Sequence, residues 1–135
     1  MRRISGLLIF LAALSGAPAA LAHHSFAVHY LPDKVITMTG VVDEFRFTNP
    51  HGIVHFKVRT PEGEEEEWRA ETNSPSILKR RGWTKDSIKI GDRITVTGWP
   101  ARDGTNLIRI SKITLPNGSE LIGQAVRAGS ENDKD

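Results

Sequence analysis

Residues 35–48, VITMTGVVDEFRFT, decide the fold. β-branched and aromatic residues dominate the stretch and Gly40 interrupts it, the composition of one long strand that bends or bulges in its middle. The turn-forming Asn49-Pro50-His51-Gly52 ends that strand. IVHFKVRT (53–60) then alternates, with Val54, Phe56 and Val58 on one face and His55, Lys57 and Arg59 on the other, which makes a half-buried second strand. PEGEEEE (61–67) is a turn followed by a charge run, and WRAET (68–72) puts Trp68, Ala70 and Thr72 on one face of a third strand. The second and third strands should form a hairpin. Glu64 to Glu67 read as a solvated loop and strand edge whose charge discourages edge-to-edge association.

NSPSILKRRGW (73–83) has the marks of a short helix. Asn73 or Ser74 is the N-cap, Pro75 lies in the first turn, Lys79 to Arg81 meet the dipole in the last turn, and Gly82 is the stop. Thr84 caps a second single turn over TKDSI (84–88), with Trp83 packed beneath it. A fourth strand follows in KIGDRITVTGWP (89–100), with Ile94 and Val96 inward and Thr95 and Thr97 outward. Asp103-Gly104 signals a hairpin, LIRISKITL (107–115) returns as the fifth strand, and a turn at Pro116-Asn117-Gly118 precedes a short ELI (120–122). Five strands with a helix between the third and fourth is the order of a mostly β, OB-like, five-stranded Greek-key barrel. The bending first strand serves that fold, because it must pair with both halves of the barrel. The barrel domain is expected over 23–122 and a polar, disordered tail over 123–135.

Residues 1–22, MRRISGLLIFLAALSGAPAALA, combine a basic start, an apolar run and Ala20 and Ala22 in a small-x-small pattern, the layout of a cleaved secretory signal peptide. The apolar run is too short to span a bilayer, which takes about 20 residues. Cleavage would remove Arg2 and Arg3 and no acid, so 18 basic against 16 acidic side chains become 16 against 16. A chain without net positive charge lacks the electrostatic footprint of a nucleic-acid binder. There is no cysteine, so a disulfide framework, a thiolate metal site and a cysteine nucleophile are all excluded.

The five histidines, at 23, 24, 29, 51 and 55, all fall early in the expected mature chain. If cleavage follows Ala22, His23 offers a free α-amine and an imidazole Nδ1 that chelate one metal ion in a six-membered ring. One further imidazole completes a three-nitrogen site, which favours Cu(II). His51 and His55 stand four residues apart, roughly 13 Å in an extended strand, so only one of them can join His23. His51, in a turn at the barrel rim, is the expected partner, and His24 is the other candidate. The contrasting reading makes the histidines part of a flexible arm anchored on the barrel by Phe26 and Tyr30.

AHHSF (22–26), FTNPH (47–51), RRGWTKDSI (80–88), GDRITVTG (91–98), ARDGTN (101–106) and TLPNG (114–118) together resemble a family of small exported bacterial proteins known only as a domain of unknown function. That resemblance implies a periplasmic location and a single small β domain and supplies no activity. His23 alone is similar to the first residue of copper proteins that begin with histidine, among them polysaccharide mono-oxygenases and periplasmic copper carriers.

A second function class is a non-catalytic binding module, in which a barrel face carrying Arg46, His55, Lys57, Arg69 and Trp99 contacts a protein, peptide or glycan. An enzyme is disfavoured: Ser25, Asp43 and Glu44 fall in no nucleophile motif.

Overall fold

The computed structural model describes residues 26–124. The expected signal peptide, His23, His24 and most of the expected tail lie outside the described residues. β1 (Ile36–Arg46) is the long first strand. Its first half pairs antiparallel with β4 (Arg93–Pro100), and its second half, from Val41 onward, pairs antiparallel with β2 (Ile53–Arg59). β2 forms the expected hairpin with β3 (Glu65–Glu71), and β4 forms another with β5 (Leu107–Thr114). A short parallel pairing of Arg69–Glu71 with Leu107–Arg109 joins β3 to β5. The ring β1-β2-β3-β5-β4 is thereby closed into a small OB-like barrel, and β6 (Glu120–Ile122) continues the sheet beyond β5.

Gly40 was expected to mark the irregularity in β1, and the structure moves it. The register passes from Val42 opposite Phe56 to Glu44 opposite His55, so the bulged residue is Asp43. Gly40 answers a different need: a Cβ there would stand 2.4 Å from the Lys57 carbonyl oxygen, so a side chain would drive β1 and β2 apart. Gly98 is tighter still, with its Cβ position 1.9 Å from the Arg109 carbonyl oxygen, where β4 shifts register against β5.

The alternating inward residues, among them Val42, Val54, Phe56, Ala70, Ile94, Val96, Ile108, Ile110 and Ile113, fill the barrel. α1 (Pro75–Arg80) adds Leu78 to that core, and the burial contributes about 2 kcal/mol. Trp83 is buried, and its indole N–H donates to the Ile122 carbonyl at 2.9 Å, so β6 satisfies the one polar atom the ring takes inside. Ser74 occupies the N-cap position but makes no capping bond, its Oγ lying 3.1 Å from Ser76 Oγ, and Asn73, the other candidate cap, is committed elsewhere. Gly82 follows the last turn at φ +86°, as its role of helix stop requires. The segment after Trp83 is a turn closed by Ser87 N–H to Thr84 O. Gly123, placed in the expected tail, is still tied to the barrel: its N–H donates to Ser111 O and its carbonyl accepts from Asn73.

The outward residues matter most for function. Ile53, Glu71, Arg109 and Trp99 are successive ladder partners across β2, β3, β5 and β4, so they form one row on the outside of the barrel. Residues 26–29 form a helical turn beside that row. It is fixed by a bridge between Tyr30 and Ala101, by Arg102 N–H to His29 O, and by the Arg102 guanidinium to Ala27 O. Phe26 packs edge-on against Trp99 with ring centroids 5.4 Å apart.

Candidate functional site

Glu71 is the hub of the outer row. Its register places it between Ile53 and Arg109, and its alternation with Ala70 and Thr72, both fully buried, sends its side chain outward. Arg109 Nη1 donates to Glu71 Oε1 at 2.9 Å and Arg109 Nη2 donates to Asn73 Oδ1 at 2.6 Å. Asn73 in turn donates to the Gly123 carbonyl. The guanidinium is nearly buried, with 10% of its side chain exposed, against 19% for Glu71. A charge so placed requires a counter-charge.

The other oxygen of Glu71 accepts from the Tyr30 hydroxyl at 2.6 Å. Burial, and then this hydrogen bond to a carboxylate, push the Tyr30 hydroxyl pKa well up, so Tyr30 remains a donor. Phe26 stacks obliquely on Tyr30, so the turn that follows residue 25 is clamped by one aromatic cluster and one hydrogen bond to Glu71.

His51 completes the group. Its Nδ1 lies against Glu71 Oε1, while 46% of its side chain is exposed. A carboxylate at Nδ1 selects the tautomer that carries its proton there, which leaves the Nε2 lone pair free. An imidazole so oriented is the arrangement common to metal-ligating histidines, which give their other ring N–H to a carboxylate. Among the described residues no three histidine or carboxylate side chains converge on one point.

The remaining expected residues divide. Arg46 is bound to Glu44 at 2.8 Å, and that bond holds the Glu44 carboxyl below the usual carboxylate range. Lys57 lies 3.6 Å from Asp43. His55 Nε2 lies 3.9 Å from Glu44 and is buried without a hydrogen-bond partner. His55 and Arg69 line one groove of about 570 Å³. Trp99 departs from the expected face: it points outward as its register requires, but Phe26 covers it and it is buried. His23 and His24 lie outside the described residues.

Glu71, Asn73 and Arg109 were not among the expected site residues. The signal for Arg109 was present: an arginine flanked by Ile108 and Ile110 in a strand that must face the core on alternate positions. Its partners are unreadable locally, because Glu71 lies 38 positions away and meets it only through the parallel closure of the barrel.

The sequence pattern of a family of unknown function (DUF6152) matches residues 12–108. The chain belongs to the DUF6152 family. The matched span includes Tyr30, His51, Glu71 and Asn73 and stops one residue short of Arg109. No curated protein matches the chain.

Proposed function

We propose that this DUF6152 protein is an exported, periplasmic metal-binding protein, a carrier or buffer in which His51 Nε2 is the fixed ligand. The carrying observation is the contact of His51 Nδ1 with Glu71, a carboxylate that Arg109 and Tyr30 hold in place. The same carboxylate receives the hydroxyl of the N-terminal turn, so the arm and His51 converge on Glu71. From the docked Phe26, residues 23–25 span up to about 10 Å when extended. His23 at a cleaved terminus would add its amine and its imidazole Nδ1 to His51 Nε2. Such a three-nitrogen set favours Cu(II), and His24 is the alternative source of an imidazole. The α-amine, with an ordinary pKa of about 7.7–8.0, yields its proton to the metal near neutral pH.

The test is the intact mass of protein recovered from the periplasm of a bacterial host, followed by Cu(II) titration with EPR. The expected result is a chain starting at His23 with one copper in a nitrogen-rich site. Glu71→Gln should weaken that site about 10- to 100-fold as an outer-shell change, and His51→Ala should weaken it further. A different terminus, or copper affinity indifferent to His51→Ala, sinks this reading.

A further inference from the structure

We propose that the recess between the end of β1 and the turn after α1 is a binding site for a small amphiphilic monocarboxylate, an alkyl chain ending in one carboxylate. Its walls come from the β1–β2 connection and from the segment that ends α1, not from the faces of β2 and β3. Its volume of about 540 Å³ falls within the roughly 300–1,000 Å³ of small-ligand sites.

The walls are apolar for reasons set by the chain. Phe47, half-buried, packs against Phe45 with ring centroids 5.8 Å apart, and Phe45 lies 6.3 Å from Trp83. Trp83 is buried and forms the base of the recess, and its one polar atom, the indole N–H, is spent on the Ile122 carbonyl. Gly82 also lines the recess, and a Cβ there would meet nothing within 4 Å, so no side chain fills the space at that point. The polar groups of Thr84 are used inside its own turn: its N–H donates to Ser87 Oγ and its Oγ1 accepts from the Asp86 N–H. Water held against such walls finds few partners, and an alkyl chain displaces it without breaking protein hydrogen bonds.

The charges at the mouth select the head group. The remaining lining residues are the exposed Lys79, Lys85 and Asp86. Lys85 is neutralised by Asp86 at 3.2 Å, whereas the side chains of Lys79 and of Arg80 and Arg81 after it have no hydrogen-bond or ion partner among the described residues. The methylenes of Lys79 extend the apolar wall while its ammonium stays in water at the mouth. The glutamates of β3 do not cancel this charge. They begin the strand, whereas Phe47 follows Arg46 at the end of the barrel where Arg46, Ile53 and Glu71 are ladder partners. Glu65 and Glu71 are about 20 Å apart along β3, more than two Debye lengths at physiological salt. A cationic amphiphile is repelled at the mouth, a neutral one forgoes the ammonium, and a polyanion gains the cations but nothing from the apolar base.

Octanoate, 1-octanol and octylammonium carry one tail and three heads, and isothermal titration calorimetry below their aggregation limits compares them. EDTA is present, so that metal binding at His51 plays no part. Octanoate should saturate one site about fivefold more tightly than 1-octanol, the upper end for an exposed ion pair, because the apolar base lowers the local dielectric; octylammonium should bind more weakly than either. Lys79→Met keeps the stem and removes the charge, so octanoate should fall to the level of 1-octanol while 1-octanol is unchanged. Lys79 is exposed and methionine has nearly the helix propensity of lysine, so the variant should keep the wild-type unfolding midpoint. No saturable octanoate binding at millimolar concentration, equal binding of the three heads, or octanoate affinity unchanged in Lys79→Met would each overturn the proposal. Phosphatidylglycerol vesicles and a thymidine hexanucleotide run alongside represent a membrane and a polyanion, and tighter binding of either than of octanoate would also overturn it.

Discussion

Replacing Glu71 by leucine should cost the fold about 3 kcal/mol, the low end of the range for breaking a buried ion pair. The low end applies because Asn73 continues to accept one N–H of Arg109 and because Glu71 retains 19% exposure. The loss comes less from attraction forgone than from a guanidinium, 10% exposed, left without its counter-charge. For a folded unit of this size it corresponds to a fall in Tm of roughly 12–24 °C. That origin makes a sharper prediction than the single variant does. Glu71→Leu combined with Arg109→Met removes the stranded charge along with its partner, and the double variant should return to within about 1.5 kcal/mol of wild type. The residual loss belongs to the Tyr30 hydroxyl, which no longer has an acceptor, and to Asn73 Oδ1, which no longer has its Arg109 donor. Urea unfolding followed by far-ultraviolet circular dichroism gives the four corners of the cycle. Additive losses in the double variant, or a cost below about 1 kcal/mol for Glu71→Leu, would refute the view that Glu71 neutralises Arg109.

Tyr30 is the only tyrosine, so tyrosinate absorbance reads it alone. Burial and Glu71 raise its folded pKa above the ordinary value of about 10, so its contribution to stability is complete below that pH and lost as pH rises above it, and Tyr30→Phe should flatten this alkaline loss. A Tyr30 that ionises at the ordinary value in the folded protein would contradict the bond to Glu71. Gly98→Ala should cost at least about 3 kcal/mol or prevent folding, since the new Cβ meets the backbone carbonyl of Arg109. Gly63→Ala, in open space at φ +88°, should cost about 1 kcal/mol, and equal losses at the two positions in urea unfolding would show that the close approach of β4 and β5 is wrong.

Local pattern made most of the barrel legible. Alternation placed Val54, Phe56, Ile94 and Val96 inside, turn residues bounded the strands, and the proline-to-glycine span from Pro75 to Gly82 located α1. These readings succeed because side-chain period and backbone dihedrals are properties of a few neighbouring residues. The long first strand was readable for the same reason, whereas its irregularity was misplaced: Gly40 is small because Lys57 O approaches it, and that approach belongs to a neighbouring strand. The outward direction of Arg46, His55, Lys57, Arg69 and Trp99 follows from alternation and register. That Phe26 buries Trp99 depends on where the N-terminal turn docks.

By itself, then, the sequence determined the strand order, the inward set and the absence of cysteine thiol chemistry, and it placed His51 in the turn between the first two strands. Tertiary structure alone decided that Tyr30, His51, Glu71, Asn73 and Arg109 are one group and that His55 lines a groove of which His51 is not part. The physical reason is the closure of the barrel. The three-residue parallel pairing of β3 with β5 brings Glu71 beside Arg109, and no periodicity along either strand encodes which residue of the other it will face.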